Sequence, residues 1–469
     1  MKLARLLVVG TVVAALVAGL LVDLGDRPVP GVAAVATTAV PEVVDNGVWF
    51  CPGGSNDEGA AGVNIELVNV GDVPASAIVS GVRSGTGTDA RETQETVDPG
   101  GRTVVLLSEL VPDSEWMGAV VEVERGDLVV EQTYVGNPSG IDRAPCHSRT
   151  STSWVVASGA TRETEFSEQM TLLVLNPFLD DAVLDIAFDS DTGVDSLTGV
   201  VVPARRVVAI DVNEAVPVAG RVSAVIDVVA GRVAVSRLQV VTGEGRSALA
   251  VTPASADAAP VWFLPFVHRE TRDDVITVVN PSLTESAEVD LEIVADGDVV
   301  FDPVLLTIRP GRSVQVRLAD EARLGDLQTL SILARSLSGL PVAVMSESTL
   351  ADERITNYSA TVGADAAATR WVAPLEADEG GIVLYNPSPT SIANAAVFSM
   401  VDGQLVKVAD VELGPQRRAV IASADIEGER PIAVVEATEP VVVGREIVDV
   451  SVHVQTSAVI SGAEAVPLG

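Results

Sequence analysis

A strand-ending asparagine that recurs at nearly constant spacing constrains this 469-residue chain more than any other feature of its sequence. In the second repeat, Thr171–Phe188 reads TLLVLNPFLDDAVLDIAF, an apolar strand followed by an Asn-Pro corner and an alternating strand. Related stretches begin at Leu67, Ile276 and Ile382. Their asparagines are Asn69, Asn176, Asn280 and Asn386, so the spacings are 107, 104 and 106 residues. Such a period is the length of a whole domain, and it predicts four tandem domains.

The composition predicts that these domains are built from strands. Hydrophobic residues make up 47% of the chain and aromatic residues only 3%, and short runs rich in Val between Gly and Pro are typical of β-structure. Each repeat holds roughly six to seven such runs, as in an immunoglobulin-like β-sandwich. We therefore predict an all-β fold of four tandem immunoglobulin-like β-sandwich repeats. The predicted sandwiches span residues 45–147, 148–255, 258–359 and 366–462.

Two further patterns recur in every repeat. A tryptophan near the start is expected to fill the core, the alternative being an exposed ring that stacks on sugars. These residues are Trp49, Trp154, Trp262 and Trp371. The last two strands of each repeat flank a short turn with Gly or Pro, which predicts a closing hairpin. Because the linkers are short, we expect an extended rod in which each sandwich contacts mainly its neighbours in sequence.

The N-terminus predicts the compartment. Lys2 and Arg5 precede Leu6–Val22, a run without a charged side chain. A helix of that length reaches about 26 Å, near the lower limit for crossing a hydrocarbon core of ~30 Å. Because positively charged flanks stay inside the cell, the rest of the chain is expected to be exported.

An uncleaved anchor divides the N-terminal part of the chain into three segments. They are a cytoplasmic stub (1–5), a transmembrane signal-anchor helix (6–22) and a flexible tether (23–44). The fold class is then four sandwiches after an N-terminal transmembrane helix, with the bulk of the chain extracytoplasmic. The alternative is a signal peptide cleaved at Ala34–Ala36, which would release a secreted protein.

The two cysteines lie near opposite ends of the first repeat. An exported chain meets an oxidising compartment, where an even pair predicts a disulfide, here between Cys51 and Cys146. Closing a loop of roughly 95 residues stabilises a fold by about 4–5 kcal/mol in the chain-entropy treatment. A redox pair is the alternative, but it would show Cys-x-x-Cys spacing. Zinc would need more ligands than His147 beside Cys146 supplies.

The charge of the chain excludes one class of partner. There are 65 acidic against 30 basic residues, a net charge of −35. Phosphate backbones are repelled by such a surface, so we expect no nucleic acid partner. One acidic stretch is a calcium candidate, because Asp189, Asp191 and Asp195 offer alternating carboxylates around Gly193. It lacks a distal glutamate, and a plain Asp-rich hairpin turn is the alternative. No cofactor is predicted.

The sequence offers little material for an enzyme. His147, His268 and His453 lie in three different repeats, so a Ser-His-Asp or Cys-His arrangement would have to form between domains. The chain has no Gly-x-Ser-x-Gly elbow, no His-Glu-x-x-His helix and no Gly-Lys-Ser/Thr phosphate loop. We predict a protein that is not an enzyme.

The motifs of the second repeat resemble a known family. LLVLNPFLDDAVLDIAF, LTGVVVPARRVVAIDV and GRVAVSRLQ follow one another. This order of L-x-x-N-P, V-P-x-R and a closing V-V-x-x-R strand resembles a repeat of exported actinobacterial proteins, including a family of uncharacterised single-span membrane proteins. The resemblance covers most of Trp49 to about Gly462, and the first repeat departs from it at Asn69-Val70. It implies an exported repeat architecture without an established activity, so no site residue is carried over.

These observations favour a membrane-anchored, extracytoplasmic, non-catalytic protein that binds or scaffolds in the cell envelope. The alternative is an accessory subunit of envelope-polysaccharide assembly that binds glycan or a partner enzyme. A secreted hydrolase is the remote alternative. The expected partners are the cytoplasmic membrane, through the N-terminal helix, and envelope proteins or glycans.

Overall fold

The computed structural model describes most of residues 47–449. It also describes the short pieces 36–38, 40–41, 454–456 and 466–467, and within 47–449 the gaps are 58, 88–89, 137–139, 165, 244–245, 269–272, 296–300, 325–328, 352–355, 376–378, 427 and 429. Strands make up 67% of the chain and helices 4%, so the all-β prediction is confirmed. Leu6–Val22, predicted to span the membrane, lies outside the described residues. None of the helices in the described part has the length and hydropathy of a membrane span.

Residues Ala33–Gly469 form one compact unit, in which four stretches of chain, repeats 1 to 4, follow the same strand order. The strands of repeat 1 are Val48–Ser55, Gly62–Asn69, Ala75–Arg83, Glu92–Val97, Arg102–Leu106, Trp116–Arg125, Leu128–Gly136 and Gly140–Pro145. Those of repeat 2 are Ser153–Val156, Phe166–Asn176, Ala182–Ser190, Val194–Val202, Arg206–Asp211, Val222–Ala230, Ala234–Gly243 and Arg246–Pro253. Those of repeat 3 are Val261–His268, Asp273–Asn280, Ala287–Val294, Val304–Ile308, Arg312–Arg317, Thr329–Ser336, Ala343–Ala351 and Thr356–Val362.

Repeat 4 differs in that one long strand, Ile432–Asp449, takes the place of both the sixth and the seventh strand. Its strands are Ala366–Pro374, Glu379–Tyr385, Ala393–Val401, Gln404–Leu413, Arg418–Ala422, Ile432–Asp449 and Val454–Thr456. In every repeat a short helical turn follows the fifth strand. These turns are the α-helices Leu107–Leu110 and Val212–Ala215 and the 3₁₀ turns Leu318–Asp320, Ala322–Leu324 and Ser423–Asp425.

Each repeat is a sandwich of two layers of strands. The first layer joins strands in the order one, six, three, four, and the second in the order five, two, seven, eight. In repeats 2 and 3 the layers are separate sheets, whereas in repeat 1 the pairing of Ser55 with Gly62 joins them, and in repeat 4 the long strand Ile432–Asp449 joins them. In repeat 2, Leu172 and Val174 of the second sheet and Leu184 and Ile186 of the first are buried in one core, as expected where alternate residues of two sheets face each other. This order differs from the immunoglobulin order, in which one sheet joins strands A, B, E and D and the other joins C, F and G.

The sixth and seventh strands do not form the closing hairpin that the sequence predicts. In repeat 2, Val222–Ala230 pairs with the third strand, whereas Ala234–Gly243 pairs with the second strand in the opposite sheet. The short link between them contains Gly231 at φ 80°, and it crosses from one sheet to the other at a corner. The last hairpin instead joins Ala234–Gly243 to Arg246–Pro253. A short glycine turn in the sequence therefore did not determine which sheet the next strand joins.

The third and fourth strands of each repeat are joined in a hairpin. In repeat 4, Val401 pairs with Gln404, and the two residues between them are Asp402 at φ 50° and Gly403 at φ 74°. Two positive φ values are typical of a type I′ turn, which matches the twist of the flanking strands. The Asp-Gly pair is one of the residue pairs that favour this turn.

The recurring asparagine ties the corner after the second strand to the end of the fourth. In repeat 3, Asn280 Nδ2 donates to the carbonyl oxygens of Glu285 and Ile308 at 2.8 and 3.0 Å, and Oδ1 accepts from the Ser282 N–H at 3.1 Å. Equivalent bonds are made by Asn69, Asn176 and Asn386. All four side chains are fully buried. Because both the Nδ2 and the Oδ1 of the side-chain amide are hydrogen-bonded, the group can be buried without an unsatisfied polar atom. This explains why asparagine recurs at this position.

The four tryptophans lie in the cores, as predicted, and all are buried. Trp262 Nε1 donates to the carbonyl oxygen of Val342 at 2.6 Å, and Trp371 Nε1 donates to that of Val441 at 2.8 Å. These two rings therefore bond the first strand of repeats 3 and 4 to the segment that leads into the opposite layer. The alternative of an exposed ring is wrong.

The predicted disulfide between Cys51 and Cys146 is confirmed. Cys51 lies in the first strand of repeat 1, and Cys146 directly follows the eighth strand. Because the first strand pairs with the sixth and the eighth pairs with the seventh, the bond connects the two layers of this sandwich.

The four repeats form a closed ring and not the extended rod that the short linkers predict. Repeat 4 returns to repeat 1, where Arg445 Nη2 lies 2.5 Å from Glu131 Oε1 and Arg430 Nη2 lies 2.8 Å from Glu66 Oε1. The eighth strand of each repeat contacts the eighth strands of both neighbours around the ring. Short linkers fix the distance between neighbours but not the direction in which the chain bends. Closure buries the outer faces of both sheets, which an open rod would leave partly exposed at its ends.

Two short strands before repeat 1 also contact repeat 4. Ala36–Thr38 pairs with Gly444–Glu446, and Val40–Pro41 pairs with Trp371 and Val372. Both lie in the range predicted as a flexible tether, 23–44, so part of that range forms strands.

Candidate functional site

The same two faces meet at each interface of the ring. Leu173, on the second sheet of repeat 2, packs into the core cluster of repeat 1. On the other side of repeat 2, Val155 and Val225 of the first sheet pack against repeat 3. Val372 and Val434, on the first sheet of repeat 4, pack against repeat 1. Such head-to-tail contacts generate a closed ring when the rotation between neighbours closes on itself.

At two interfaces between repeats, the described residues include a fully buried arginine. Each of these arginines lies on the seventh strand of its own repeat and reaches across to the next repeat. Arg237 of repeat 2 donates to Glu347 Oε1 of repeat 3 and to the carbonyl oxygen of Ser158, both at 2.6 Å. Arg445 of repeat 4 donates to Glu131 Oε1 of repeat 1 at 2.5 Å. Both arginine side chains are 0% exposed. Each buried positive charge is thus neutralised by a glutamate of the next repeat, which offsets the cost of removing it from water.

A second glutamate, Glu66, lies beside Glu131 on the adjacent strand. Its side chain is 1% exposed and lies 2.8 Å from Arg430, 3.2 Å from Arg143 and 3.4 Å from Arg102. We name this cluster the closing seam. It consists of Glu66, Glu131, Arg102, Arg143, Arg430 and Arg445. Four arginines are therefore clustered where the ring closes, although the chain as a whole has a net charge of −35.

The three aspartates of the calcium candidate do not share one site, because each has different surroundings. Burial alone raises the pKa of Asp189, but hydrogen bonds from Arg221 and Arg312 lower it below its ordinary value. Arg312 belongs to repeat 3, so Asp189 serves the interface between repeats 2 and 3. Asp191 accepts hydrogen bonds from backbone amides before the sixth strand, and Asp195 is exposed on the fourth strand. Across the described ranges, no group of three or more His, Cys, Asp or Glu side chains is placed to hold a metal ion.

His147 contributes to the interface between repeats 1 and 2. Its Nε2 lies 2.7 Å from the carbonyl oxygen of Val235, and its ring meets Trp154 edge to face at 4.7 Å. Burial lowers the pKa of His147 to about 4, so the ring is neutral at pH 7. The side chain of His268 and all of His453 lie outside the described residues.

A small pocket lies where the linkers after the eighth strands run side by side. His147, Ser255 and Ala364 occupy equivalent places, because each forms an isolated bridge to the first strand of its own repeat. The cavity between these linkers measures about 100 Å³. We call it the axial pocket, since the eighth strands of repeats 1, 2 and 3 end at it and the eighth strands contact one another around the centre of the ring.

The axial pocket is polar. Arg149 Nη2 pairs with Asp257 Oδ2 at 2.7 Å, and both side chains are more than half exposed. Asp365 lies deeper, and burial raises its pKa above the ordinary value. The volume corresponds to about three water molecules. The pocket therefore accommodates one polar group of a partner and is too small for a whole organic substrate.

The interface arginines were not identified from the sequence, although a signal was present. Arg237 and Arg445 interrupt the strands AVSRLQV and VVVGREIV, and a lone charge inside an apolar strand indicates a buried or interfacial ion pair. What the sequence could not show is the partner. Glu131 is 314 residues from Arg445, and Glu347 is 110 residues from Arg237.

Comparisons with known proteins add little to this geometry. No protein-family model and no curated protein matches the chain. It is similar to Thermotoga maritima 1070 with 20% identity and a TM-score of 0.20, over 23% of this chain and 94% of that chain. It is also similar to a Streptomyces avermitilis α-L-rhamnosidase complexed with L-rhamnose. The identity is 10% and the TM-score is 0.12, over 81% of this chain and 54% of that chain. It is similar to a tetra-tandem repeat in the extending region of a large adhesion protein with 13% identity and a TM-score of 0.11, over 83% of this chain and 90% of that chain. With TM-scores this low, none of these likenesses says what the chain does.

Proposed function

We propose that this protein is a membrane-anchored, extracytoplasmic binding or scaffolding protein of the cell envelope that carries out no catalysis. The closed ring of β-sandwich repeats supports this function most directly. Its closing seam and its other buried ion pairs hold the four repeats in fixed relative positions. A surface that is rigid before binding loses less conformational freedom when a partner docks.

The use of the buried charged groups also favours a binding role. Asp189, Glu131 and Arg237 are each bonded to a group of the neighbouring repeat. Catalytic acids and bases have to reach a substrate, whereas these side chains are covered by the interfaces that they stabilise. Their chemistry therefore serves the assembly of the ring.

The disulfide supports the proposed compartment. Disulfides persist in oxidising compartments outside the cytoplasm, and this chain has used both of its cysteines in one. The flank of Lys2 and Arg5 before Leu6–Val22 agrees with an anchor that leaves the ring outside.

The topology can be tested with the two lysines of the chain, Lys2 and Lys407. Lys407 is 50% exposed on repeat 4, whereas Lys2 precedes the anchor. A membrane-impermeant amine reagent is expected to label Lys407 in intact spheroplasts and to label Lys2 only after detergent is added. Peptide mass spectrometry reads both sites.

The matched control is Lys407→Arg, which keeps the charge and removes the reactive amine. This variant should give no ring label in intact spheroplasts. Labelling of Lys2 before permeabilisation, or protection of Lys407 until detergent is added, would contradict an extracytoplasmic ring.

Binding at the axial pocket can be tested by photo-crosslinking in living cells. A benzophenone amino acid at Ser148, exposed beside the pocket, is expected to form covalent adducts with an envelope component. The same amino acid at Ser196, exposed on the fourth strand of repeat 2, is the control at the sheet edge far from the eighth strands. Equal adducts at both positions, or none at Ser148, would argue against a partner at the axial pocket.

A second candidate function is an accessory role in envelope-polysaccharide assembly. One observation favours it: a larger cavity between repeats 3 and 4 that is lined by aromatic, hydroxyl and carboxylate groups.

A further inference from the structure

The interface between repeats 3 and 4 contains a cavity of about 260 Å³. Its lining combines apolar and polar groups, which are Glu292, Phe301, Pro303, Tyr385, Gln416 and Arg417. Sites for small molecules are concave and mostly apolar, with a few polar groups that orient the ligand. The volume is slightly below the range of drug-sized sites, which begins at roughly 300 Å³, so it suits a ligand of a single ring.

Tyr385 carries the unexplained polar group of this cavity. Its ring stacks on Phe263 of repeat 3, with 4.1 Å between centroids and 5° between planes. The hydroxyl is buried and has no hydrogen-bond partner in the protein, a costly arrangement unless something else bonds it. Burial raises the pKa of Tyr385 above its ordinary value, so the hydroxyl keeps its proton. The equivalent residues one place before the strand-ending asparagine are Val68, Leu175 and Val279, none of which has a polar group.

The corresponding place between repeats 2 and 3 is filled. There Asp189 pairs in register with Ser223 and binds Arg312 at 2.8 Å. In repeat 3 the residue in register with the equivalent serine, Ser331, is Val294. A valine cannot bind a guanidinium group, and the Ser331 hydroxyl here accepts a hydrogen bond from Arg418 at 2.9 Å. The cavity lies beside Val294.

We propose that this cavity binds one sugar ring, as the terminal residue of a neutral glycan. The Tyr385 hydroxyl and the Glu292 carboxylate then bond hydroxyl groups of the sugar, and Phe301 and Pro303 contact its C–H face. Aromatic faces are electronegative, whereas the C–H groups of a sugar are made electropositive by the adjacent oxygens. This inference rests on the proposed function, because it requires a ring that is exposed to envelope glycans.

The Glu292 carboxylate in the cavity wall favours a neutral ligand with hydroxyl groups over an anion. Glu292 lies 3.4 Å from Arg335, so one ion pair already borders the site. The Glu292 side chain is 34% exposed, and its partial burial removes hydration from the carboxylate and raises its pKa. Hydroxyl donors of a sugar replace that hydration, whereas an anionic ligand would be repelled by the carboxylate.

The test is a titration of the full-length protein in lipid nanodiscs, followed by saturation-transfer NMR. The probes are D-mannose, D-galactose, D-arabinose and N-acetyl-D-glucosamine, with glycerol and empty nanodiscs as negative controls. A single ring of about a dozen heavy atoms is expected to bind with a Kd of about 1 mM. Saturation transfer to at least one of these sugars, and none to glycerol, is the expected result.

Variants locate the binding. Tyr385→Phe keeps the stacked ring and removes only the hydroxyl, so it should weaken sugar binding about three- to tenfold without lowering the Tm. Glu292→Gln should also weaken binding. Glu288→Gln is the matched control, because Glu288 lies on the same strand and the same face but outside the cavity, and it should bind as the parent does.

The proposal is overturned if none of the four sugars shows saturation transfer at 10-fold above this Kd, or if Tyr385→Phe binds sugar as well as the parent. Both outcomes are read on purified protein. They are therefore independent of the Lys407 labelling and the Ser148 crosslinking, which test the proposed compartment and the axial pocket.

Discussion

Replacing Arg445 with methionine is expected to lower the free energy of unfolding by about 3–5 kcal/mol, because the change leaves a buried carboxylate without its partner. Glu131 is 1% exposed, and Arg445 Nη2 lies 2.5 Å from its Oε1. Methionine fills a similar volume, so the loss reports mainly on the charge. Urea titration followed by circular dichroism measures the difference, and hydrogen exchange should increase first in strands that face the closing seam.

Two controls separate the buried pair from arginine loss in general. Arg323→Met breaks an exposed pair with Glu321, in which the arginine is 43% exposed, and it should cost about 0–1 kcal/mol. Arg445→Met combined with Glu131→Leu removes both charges and should recover most of the loss. If Arg445→Met is no more destabilising than Arg323→Met, the closing seam does not stabilise the ring.

Removing the disulfide should have an effect of comparable size. In the chain-entropy treatment, opening a loop of 95 residues costs about 4–5 kcal/mol, because the unfolded chain regains conformational freedom. Replacing both Cys51 and Cys146 with alanine is therefore expected to lower the urea midpoint of the full-length protein clearly. The effect should equal that of a reducing agent on the parent.

The parent itself provides the covalent check. Its intact mass without reductant should be two hydrogens below that of the reduced form, and the double alanine variant should not respond to reductant. Free alkylation of both thiols in protein taken from the envelope would contradict a structural disulfide. An unchanged urea midpoint in the variant would contradict its stabilising role.

The local features of the fold could be predicted from the sequence. The asparagine corner has a short-range cause, since Asn280 bonds groups at the two ends of one hairpin, and one of these, Ser282, is two residues away. The Asp402-Gly403 turn is equally local, because both positive φ values are inherent in the dipeptide. The tryptophans were predicted from their fixed position in each repeat, which a core residue must keep.

The arrangement of strands in sheets could not be predicted in the same way. A link of two or three residues with a glycine is compatible with a hairpin and also with a corner that crosses between sheets. The seventh strand pairs with the second strand, and the outer face of the seventh strand then packs against another repeat. Arg237 is the example: as a lone charge in a strand it is unfavourable, and its partner Glu347 becomes visible only when repeat 3 is docked. The closed ring, the axial pocket, the cavity beside Tyr385 and the ion pair of Asp189 with Arg312 all depend on such contacts between repeats.

Ring closure also sets an order of events during synthesis. The N-terminal repeat is made first, and Arg445 is 314 residues behind Glu131 in the chain. At roughly 5–20 residues per second, repeat 1 waits about 15–60 s for its last neighbour. Throughout this interval the sheet that carries Glu66 and Glu131 faces solvent, and acidic groups on an open sheet discourage pairing with other chains. The disulfide lies within repeat 1 and can form before the other repeats emerge. The repeat that waits longest is thus both internally crosslinked and protected by charge against premature association.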